Sequence, residues 1–468
     1  MKIKFGTDGW RAVIAKDFTV DNVAKVTDAV SKWLLGKYKK PSVIIGYDCR
    51  FGGKLFAETV AKVLATHEIK VFISESFVST PMVSLGVLEY KTDLGIVITA
   101  SHNPPSDNGY KLKGSFGGPL LENEVKEIEA LIHDEIEILL DSVKWEKIIE
   151  EKRVEYVDLE NMYIEHVKKN FDIEKIQNSR FKFAFDAMYG SGQNVIKRLF
   201  NDVENVHCEL NPLFNGIAPE PLLKNLKEFS EIISSSDKID CGLAVDGDAD
   251  RIALFDSEGN YVDSHNIILI LIHYLAAYKN LKGRIVTGFS STVKVEKLAE
   301  HYGLEVQRVR IGFKDICKIM LKENVLVGGE ESGGIAINTH IPERDGIWMG
   351  LTIWQFMVES NKSLREILNE IYEITGEFAF ERSDLRFDEN KKNKIVNKCK
   401  NGEFTSFGDF KVIKTDNLDG YKYYFSENEW LMIRPSGTEP VLRTYAEAEN
   451  ITKVREILTN CYNIISMV

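Results

Sequence analysis

Short apolar runs alternate with stretches of helical spacing along most of the chain. The run at 42–48 precedes a segment, 54–67, in which Leu55, Val60, Val63 and Leu64 recur at helical intervals. A second run follows at 70–74. Thr80-Pro81 then reads as a cap with proline at the first helical position. A third run occupies 94–100. Strands that are apolar on both faces and separated by helices predict a mostly parallel α/β sheet. Residues 122–170 mix acidic and basic side chains at helical spacing, which predicts a solvated helical connector without a site. The alternation restarts with a strand at 181–186, helices at 194–200 and 222–234, and a strand at 241–245. It restarts again with a helix at 267–278, a strand at 283–289, a helix at 293–301, and strands at 305–311 and 325–327. Beyond 376 the pattern becomes scattered strands, 410–414, 430–433 and 442–447, and one terminal helix from 451. The expected architecture is three similar α/β domains with mixed or parallel sheets, 1–155, 156–257 and 258–375, and a smaller C-terminal α+β domain, 376–468.

Composition narrows the class. A chain of 468 residues, 44% hydrophobic, can build several cores rather than one. The formal charge of −12 is opposite to that expected of a nucleic-acid binder or a polybasic membrane protein. An anion could still bind where basic groups are concentrated locally. Six cysteines, with no CxxC pair, read as reduced thiols. The opening MKIKFGTDGWRA has no apolar signal core, and the run at 267–278 is too short to span a bilayer. These features predict a soluble cytoplasmic protein, a monomer or homodimer.

The chemistry-bearing residues fall in loops. In TASHNPPSDNGYK, 99–111, an apolar run delivers Ser101 and His102 into a small, proline-broken loop, where the carboxyl end of a strand would place a ligand site. In LAVDGDADRIALF, 243–255, Asp246, Asp248 and Asp250 alternate between apolar flanks. Three convergent carboxylates call for a cation. Arg251 and Ser257 occupy the positions where a calcium loop needs glycine and glutamate, which argues against an EF-hand. Magnesium, completed by phosphate or water, fits better, and a turn of solvated aspartates is the competing reading. VGGEESGGIAI, 327–337, brackets Glu330, Glu331 and Ser332 with glycines; it is either a polyol-binding loop or an ordinary acidic turn. In IRPSGTEPVLRTYAEA, 433–448, Arg434, Ser436, Gly437, Thr438 and Arg443 can form a phosphate cradle, against the alternative of a surface turn. FGTDGWRA, 5–12, adds Arg11 ahead of the first helix.

Together, FGTDGWRA, TASHNP, DGDADR, GEESGG and RPSGTEP resemble the α-D-phosphohexomutase family, in that family's order and over nearly the whole chain. The resemblance implies four domains around a central cleft, each giving one loop. It implies that Ser101 carries a phosphoryl group, and that Mg2+ is held by Asp246, Asp248, Asp250 and phospho-Ser101. Arg11, His102, Lys111 and Arg251 would line the reacting end, and Lys314 of IGFKDI would lie near the sugar. Glu330 and Ser332 would bind hydroxyls, while Arg434, Ser436, Gly437, Thr438 and Arg443 would hold the non-reacting phosphate. The small-molecule partner would be a hexose phosphate, with hexose 1,6-bisphosphate as intermediate and activator. One departure concerns the general base. Some phosphoglucomutases have lysine before the third-domain DG; here HIPERDG places Arg344 there, and arginine does not deprotonate. His340, His102 and Lys111 remain, each equally able to serve as a phosphate hydrogen bonder.

The GEES form of the sugar loop resembles glucose-type members. The expected order is therefore phosphoglucomutase, then phosphomannomutase or dual activity, then phosphoglucosamine mutase. Rivals from other classes are a metal-dependent phosphatase using Ser101, which would not need the Arg434 cradle, and a non-catalytic sugar-phosphate binder, which would tolerate Ser101→Ala.

Overall fold

The computed structural model describes residues 3–136, 140–436 and 441–468. It contains three mixed α/β domains and a C-terminal antiparallel-sheet domain. The chain divides into two compact units: Met1–Ile267 with Gly312–Ile367, and Ile268–Ile311 with Leu368–Val468.

In the first unit one sheet runs in the order Trp10–Val13, Asp107–Gly114, Leu94–Ile98, Ser42–Tyr47, Lys70–Ser74, Val154–Val157, with Gly118–Pro119 added beside Asp107–Gly114. Its central strands are parallel (Val43 opposite both Leu94 and Val71), whereas Asp107–Gly114 is antiparallel to both neighbours. LGIVI at 94–98 is buried throughout. Burying each of its isoleucines and valines contributes about 1.5–3 kcal/mol. The helices Val20–Lys37 and Gly53–Thr66 give Val23, Val26, Val30, Val60 and Leu64 to the core on one face. On the other face Thr80–Glu89 lies so close that a Cβ on Gly46 would stand 2.4 Å from Val83. Ser79, rather than Thr80, caps this helix, accepting from the Met82 amide. That leaves the Thr80 hydroxyl for another use.

The second sheet runs Tyr261–Val262, Ile252–Asp256, Cys241–Val245, Phe183–Asp186, Glu204–Val206. Cys241–Val245 is parallel to Phe183–Asp186 and antiparallel to Ile252–Asp256. The first unit also holds the antiparallel pair Val325–Gly329 and Ile335–Ile337. In the second unit Arg284–Gly288 pairs in parallel with Val306–Val309. The C-terminal sheet there, Ala379–Arg386, Val441–Ala448, Trp430–Pro435, Tyr421–Tyr424 and Lys414–Asp416, is antiparallel throughout. Ile395 and Cys399 of Glu389–Lys400 and Val454, Ile457 and Cys461 of Ile451–Ser466 pack on Leu431, Ile433, Leu442 and Ala446.

Three expectations need correction. The 122–170 segment is not only a helical connector: it contains Val154–Val157, which joins the first sheet beside Lys70–Ser74. The helix expected at 222–234 is confined to Lys227–Ser234; before it Leu223–Asn225 forms a single 3-10 turn, and the Asn225 side-chain Nδ2 donates to the Ala218 and Glu220 carbonyls. The helix expected at 267–278 begins at Ser264 and changes to a π turn over Tyr274–Tyr278.

Candidate active site

The motif loops share one construction. Ile98 pairs with Tyr110, Val245 with Ile252, Gly329 with Ile335 and Pro435 with Leu442, all antiparallel. Each of these four motifs thus connects a strand to its returning neighbour, and the two strands hold both ends of the loop; FGTDGWRA instead runs into the first strand, Trp10–Val13.

Ser101 is buried and adopts φ +52°, a left-handed conformation costing a non-glycine residue about 1–3 kcal/mol. Its Oγ donates to Asp246 Oδ2 at 2.7 Å and lies 3.2 Å from His102 Nδ1. The loop approaches the 246–250 turn so closely that a Cβ on Gly247 would stand 2.6 Å from the Ser101 carbonyl. Only glycine fits there. Burial, reinforced by Arg251 and Arg11, holds the His102 imidazole well below its ordinary pKa. The ring is therefore held in its neutral form.

Asp246, Asp248 and Asp250 are fully buried, with candidate ligand atoms within 4.8 Å of one another. Asp246 Oδ1 accepts the Asp250 and Arg251 amides at 2.9 and 3.0 Å, turning its Oδ2 toward Ser101. Asp248 Oδ2 takes the Thr80 hydroxyl at 2.5 Å and Lys111 Nζ at 2.7 Å. Asp250 Oδ2 takes Lys111 Nζ at 3.0 Å and Arg344 Nη2 at 2.8 Å. Asp248 Oδ1 and Asp250 Oδ1 are buried with no hydrogen-bond partner among the described residues. Burial and the two neighbouring carboxylates push the Asp246 carboxyl well above the usual range. Orphaned oxygens in a carboxylate-rich pocket fit a hard divalent cation.

Lys111 spends its three N–H groups on Asp248, Asp250 and Asp8, the last at 2.9 Å. Burial works against its charge, yet these carboxylates raise its pKa, so it stays protonated and cannot act as a base. Asp8, which the motifs did not single out, also receives Arg344 Nη2 at 2.6 Å and lies 3.9 Å from Arg11. Burial opposes its ionisation, but Arg344, Lys111, Lys113 and Arg11 hold it well below the usual carboxylate range. Arg11 donates to Asn103 Oδ1 at 2.7 Å; Arg251 reaches Glu220 at 3.3 Å and lies 3.5 Å from His102 Nε2.

The 330–334 turn sits against the same cluster: the Ile252 amide donates to the Gly333 carbonyl, and a Cβ on Gly334 would meet the Arg344 side chain. Glu330 accepts the Gly312 amide at 2.8 Å, and burial raises its pKa against the pull of Arg344 and Arg251. Ser332 is half-buried in that turn, and Lys314, two residues beyond Gly312, has its pKa lowered by burial. His340 does not join them. Its ring stacks on Trp348 at 3.7 Å, and Nε2 meets Asp345 at 3.0 Å. Asp345 also takes the Tyr163 hydroxyl. This imidazole is packed into the structure.

In the second unit Arg434 and Arg443 are cross-strand partners. Arg434 Nε donates to Asp419 at 3.1 Å, while Arg443 Nε is buried without a partner among the described residues. The Ser436 carbonyl accepts Lys392 Nζ at 2.9 Å, which brings a third cation to the loop. Gly437 and Thr438 lie outside the described residues.

A carboxylate cluster beside a buried serine, with cations and a glycine-flanked acidic turn around it, suits an enzyme of phosphoryl transfer. Family models for phosphoglucomutase/phosphomannomutase match this chain in order: α/β/α domain I at residues 2–138, domain II at 161–259, domain III at 263–374 and the C-terminal domain at 392–462. The chain belongs to the phosphoglucomutase/phosphomannomutase family. A phosphoglucosamine mutase of Methanocaldococcus jannaschii is 33% identical over 97% of this chain and 96% of its own. A phosphoglucosamine/phosphogalactosamine mutase of Sulfurisphaera tokodaii is 31% identical over 98% of both. A phosphoglucomutase/phosphomannomutase of Thermococcus kodakarensis is 28% identical over 97% of this chain and 96% of its own. Among solved structures, a Thermus thermophilus protein assigned as a phosphomannomutase superposes with a TM-score of 0.87 at 30% identity, covering 100% of this chain and 99% of that one. Among the described residues no helix is long and apolar enough to cross a membrane.

Proposed function

We propose that this phosphohexomutase interconverts the 1- and 6-phosphates of glucosamine, with Ser101 as the phosphoryl carrier. The observation that carries the Ser101 assignment is its Oγ, 2.7 Å from Asp246 within the carboxylate cluster. The sugar departs from the glucose expected of the GEES loop. Glu330 and Glu331 can accept from an ammonium as readily as from a hydroxyl, so the loop does not separate the two. Two of the three relatives described above are named for amino sugars.

Phosphoryl transfer between oxygens needs positioning and charge neutralisation rather than covalent assistance. In the forward step the Oγ–P bond breaks and a bond from phosphorus to a sugar hydroxyl oxygen forms. The hydroxyl proton passes to Oγ, with His102 Nδ1 as the relay beside it. The bisphosphate then presents its other phosphate, and the same events run in reverse. Arg11 and Arg251 balance the phosphoryl charge; Glu330 and Ser332 hold sugar hydroxyls, with Lys314 beside them. Arg434, Ser436 and Arg443 take the phosphate that is not reacting. Magnesium, held by Asp246, Asp248, Asp250 and Ser101, would supply further neutralisation when bound.

A coupled assay with glucosamine, glucose and mannose 1-phosphates, each primed with its 1,6-bisphosphate, tests the reading. Glucosamine 1-phosphate should give the highest kcat/KM; a higher value for glucose 1-phosphate refutes the sugar assignment. Ser101→Ala should abolish turnover on every sugar with the fold intact, and retained mutase activity refutes the carrier. Free phosphate accumulating in step with substrate loss would instead establish a phosphatase.

A further inference from the structure

GYDCR, 46–50, includes the last two residues of the strand Ser42–Tyr47 and the turn after it; this strand lies parallel to Leu94–Ile98, so the two carboxyl ends adjoin. Three side chains there converge on one residue. Arg50 Nη2 donates to the carbonyls of Ser101 at 2.5 Å and Asn103 at 2.7 Å; Nη1 donates to those of Pro104 at 2.8 Å and Asp107 at 3.0 Å. Asp48 Oδ2 lies 3.3 Å from Arg50 Nε and accepts the Thr99 hydroxyl at 2.5 Å. Thr99 Oγ1 in turn accepts the Ser101 amide at 2.8 Å. Both backbone polar groups of Ser101 are therefore gripped, the N–H through Thr99 and the C=O through Arg50, and both grips trace back to Asp48. The guanidinium and its carboxylate are fully buried. A buried fork of charge spent on four carbonyls of one loop is more than solubility or simple packing requires.

We infer that Asp48, Arg50 and Thr99 form a positioning frame that holds Ser101 in its left-handed conformation and aims Oγ for in-line phosphoryl transfer. The inference rests on Ser101 as the carrier. The frame touches no reacting atom; it acts through the serine backbone. Its worth is greatest in a cycle that uses one oxygen alternately as leaving group and nucleophile, because a serine free to relax from φ +52° would lose alignment in both directions.

Thr99→Val tests it, since the change removes a single hydroxyl from a side chain of the same shape. The intact enzyme, dephosphorylated, is mixed with hexose 1,6-bisphosphate, and Ser101 phosphorylation is followed by intact mass in a single turnover. In that step the sugar O–P bond breaks, the Oγ–P bond forms and the Oγ proton goes to the released sugar oxygen. Thr99→Val should slow it about 100-fold, lower kcat alike and leave KM for hexose phosphate unchanged. Thr99→Ser, which keeps the hydroxyl, should recover to within about fivefold of the parent. A Thr99→Val rate within about threefold of the parent, or a raised KM with kcat intact, overturns the inference. Should Thr99→Val fail to fold, Arg50→Lys carries the same readout: the charge stays, but one ammonium cannot span four carbonyls. A lower melting temperature with unchanged kcat in that variant overturns the frame as firmly. Ser101→Ala run alongside separates the two readings. Its retained turnover would remove the carrier, whereas an inactive Ser101→Ala beside a fast Thr99→Val would remove only the frame.

Discussion

Lys111→Met should convert a neutralised pocket into a self-repelling one. The parent ammonium is buried and bound to Asp248, Asp250 and Asp8 at 2.7, 3.0 and 2.9 Å. Methionine fills similar volume without charge, so the loss is electrostatic rather than a cavity. Breaking a buried pair by removing one partner costs about 3–5 kcal/mol. At about 1–2 °C per kcal/mol for a unit of this size, the melting temperature should fall by roughly 5 °C in magnesium-free buffer. Arg344 still pairs with Asp8 and Asp250, which keeps the loss near the lower end of that range. Magnesium neutralises the same carboxylates, so its addition should raise the variant's melting temperature more than the parent's. The assay is thermal unfolding by circular dichroism across a magnesium titration, with EDTA as the zero point. A variant within about 2 °C of the parent without metal, or an equal magnesium response in both proteins, would refute the shared neutralisation.

Two further outcomes are expected. Arg443→Leu removes a half-buried arginine whose Nε is buried with no partner among the described residues; losing a charge-assisted bond to phosphate, about 1.5–3 kcal/mol, should lower kcat/KM about 10- to 150-fold with the melting temperature held, and an unchanged kcat/KM would count against the cradle. In the second unit burial pushes Glu447 up to about 7 and pulls Lys422 down to about 7, where Lys422 lies 3.6 Å over the Trp430 ring. Glu447, raised above its unfolded value, contributes stability that is present in acid and lost as pH rises through about 7. Lys422, depressed below its unfolded value, contributes stability that is present in alkali and lost as pH falls through about 7. The parent should therefore be least stable, relative to a Lys422→Met, Glu447→Gln double variant, near pH 7 and gain on either side; a flat difference between pH 5 and 9 would refute it.

The sequence alone marked the loops as interruptions of apolar runs. TASHNP and DGDADR mark the serine and the carboxylates because each interrupts an apolar run with residue types that have no use in a core. The α/β alternation and a final domain of a different, α+β pattern follow from the same periodicities, while the antiparallel pairing of its strands is seen only in the fold. Some partners of the site also carry a local signal in the sequence. Asp8 stands inside FGTDGWRA, and GYDCR places two charges at the carboxyl end of a strand next to the Ser101 strand, where ligand sites of open sheets gather.

Only the tertiary structure decided which charges meet. Asp8 and Arg344 are separated by 336 positions, and Thr80 reaches Asp248 across 168. No local pattern specifies such pairs, because side-chain electrostatics depend on distance in space. The fold also gives the candidate bases different surroundings: it packs His340 against Trp348, surrounds Lys111 with carboxylates and holds the His102 pKa down beside Ser101. Residue type supplies what a group can do, and burial with neighbouring charge sets which protonation state it holds.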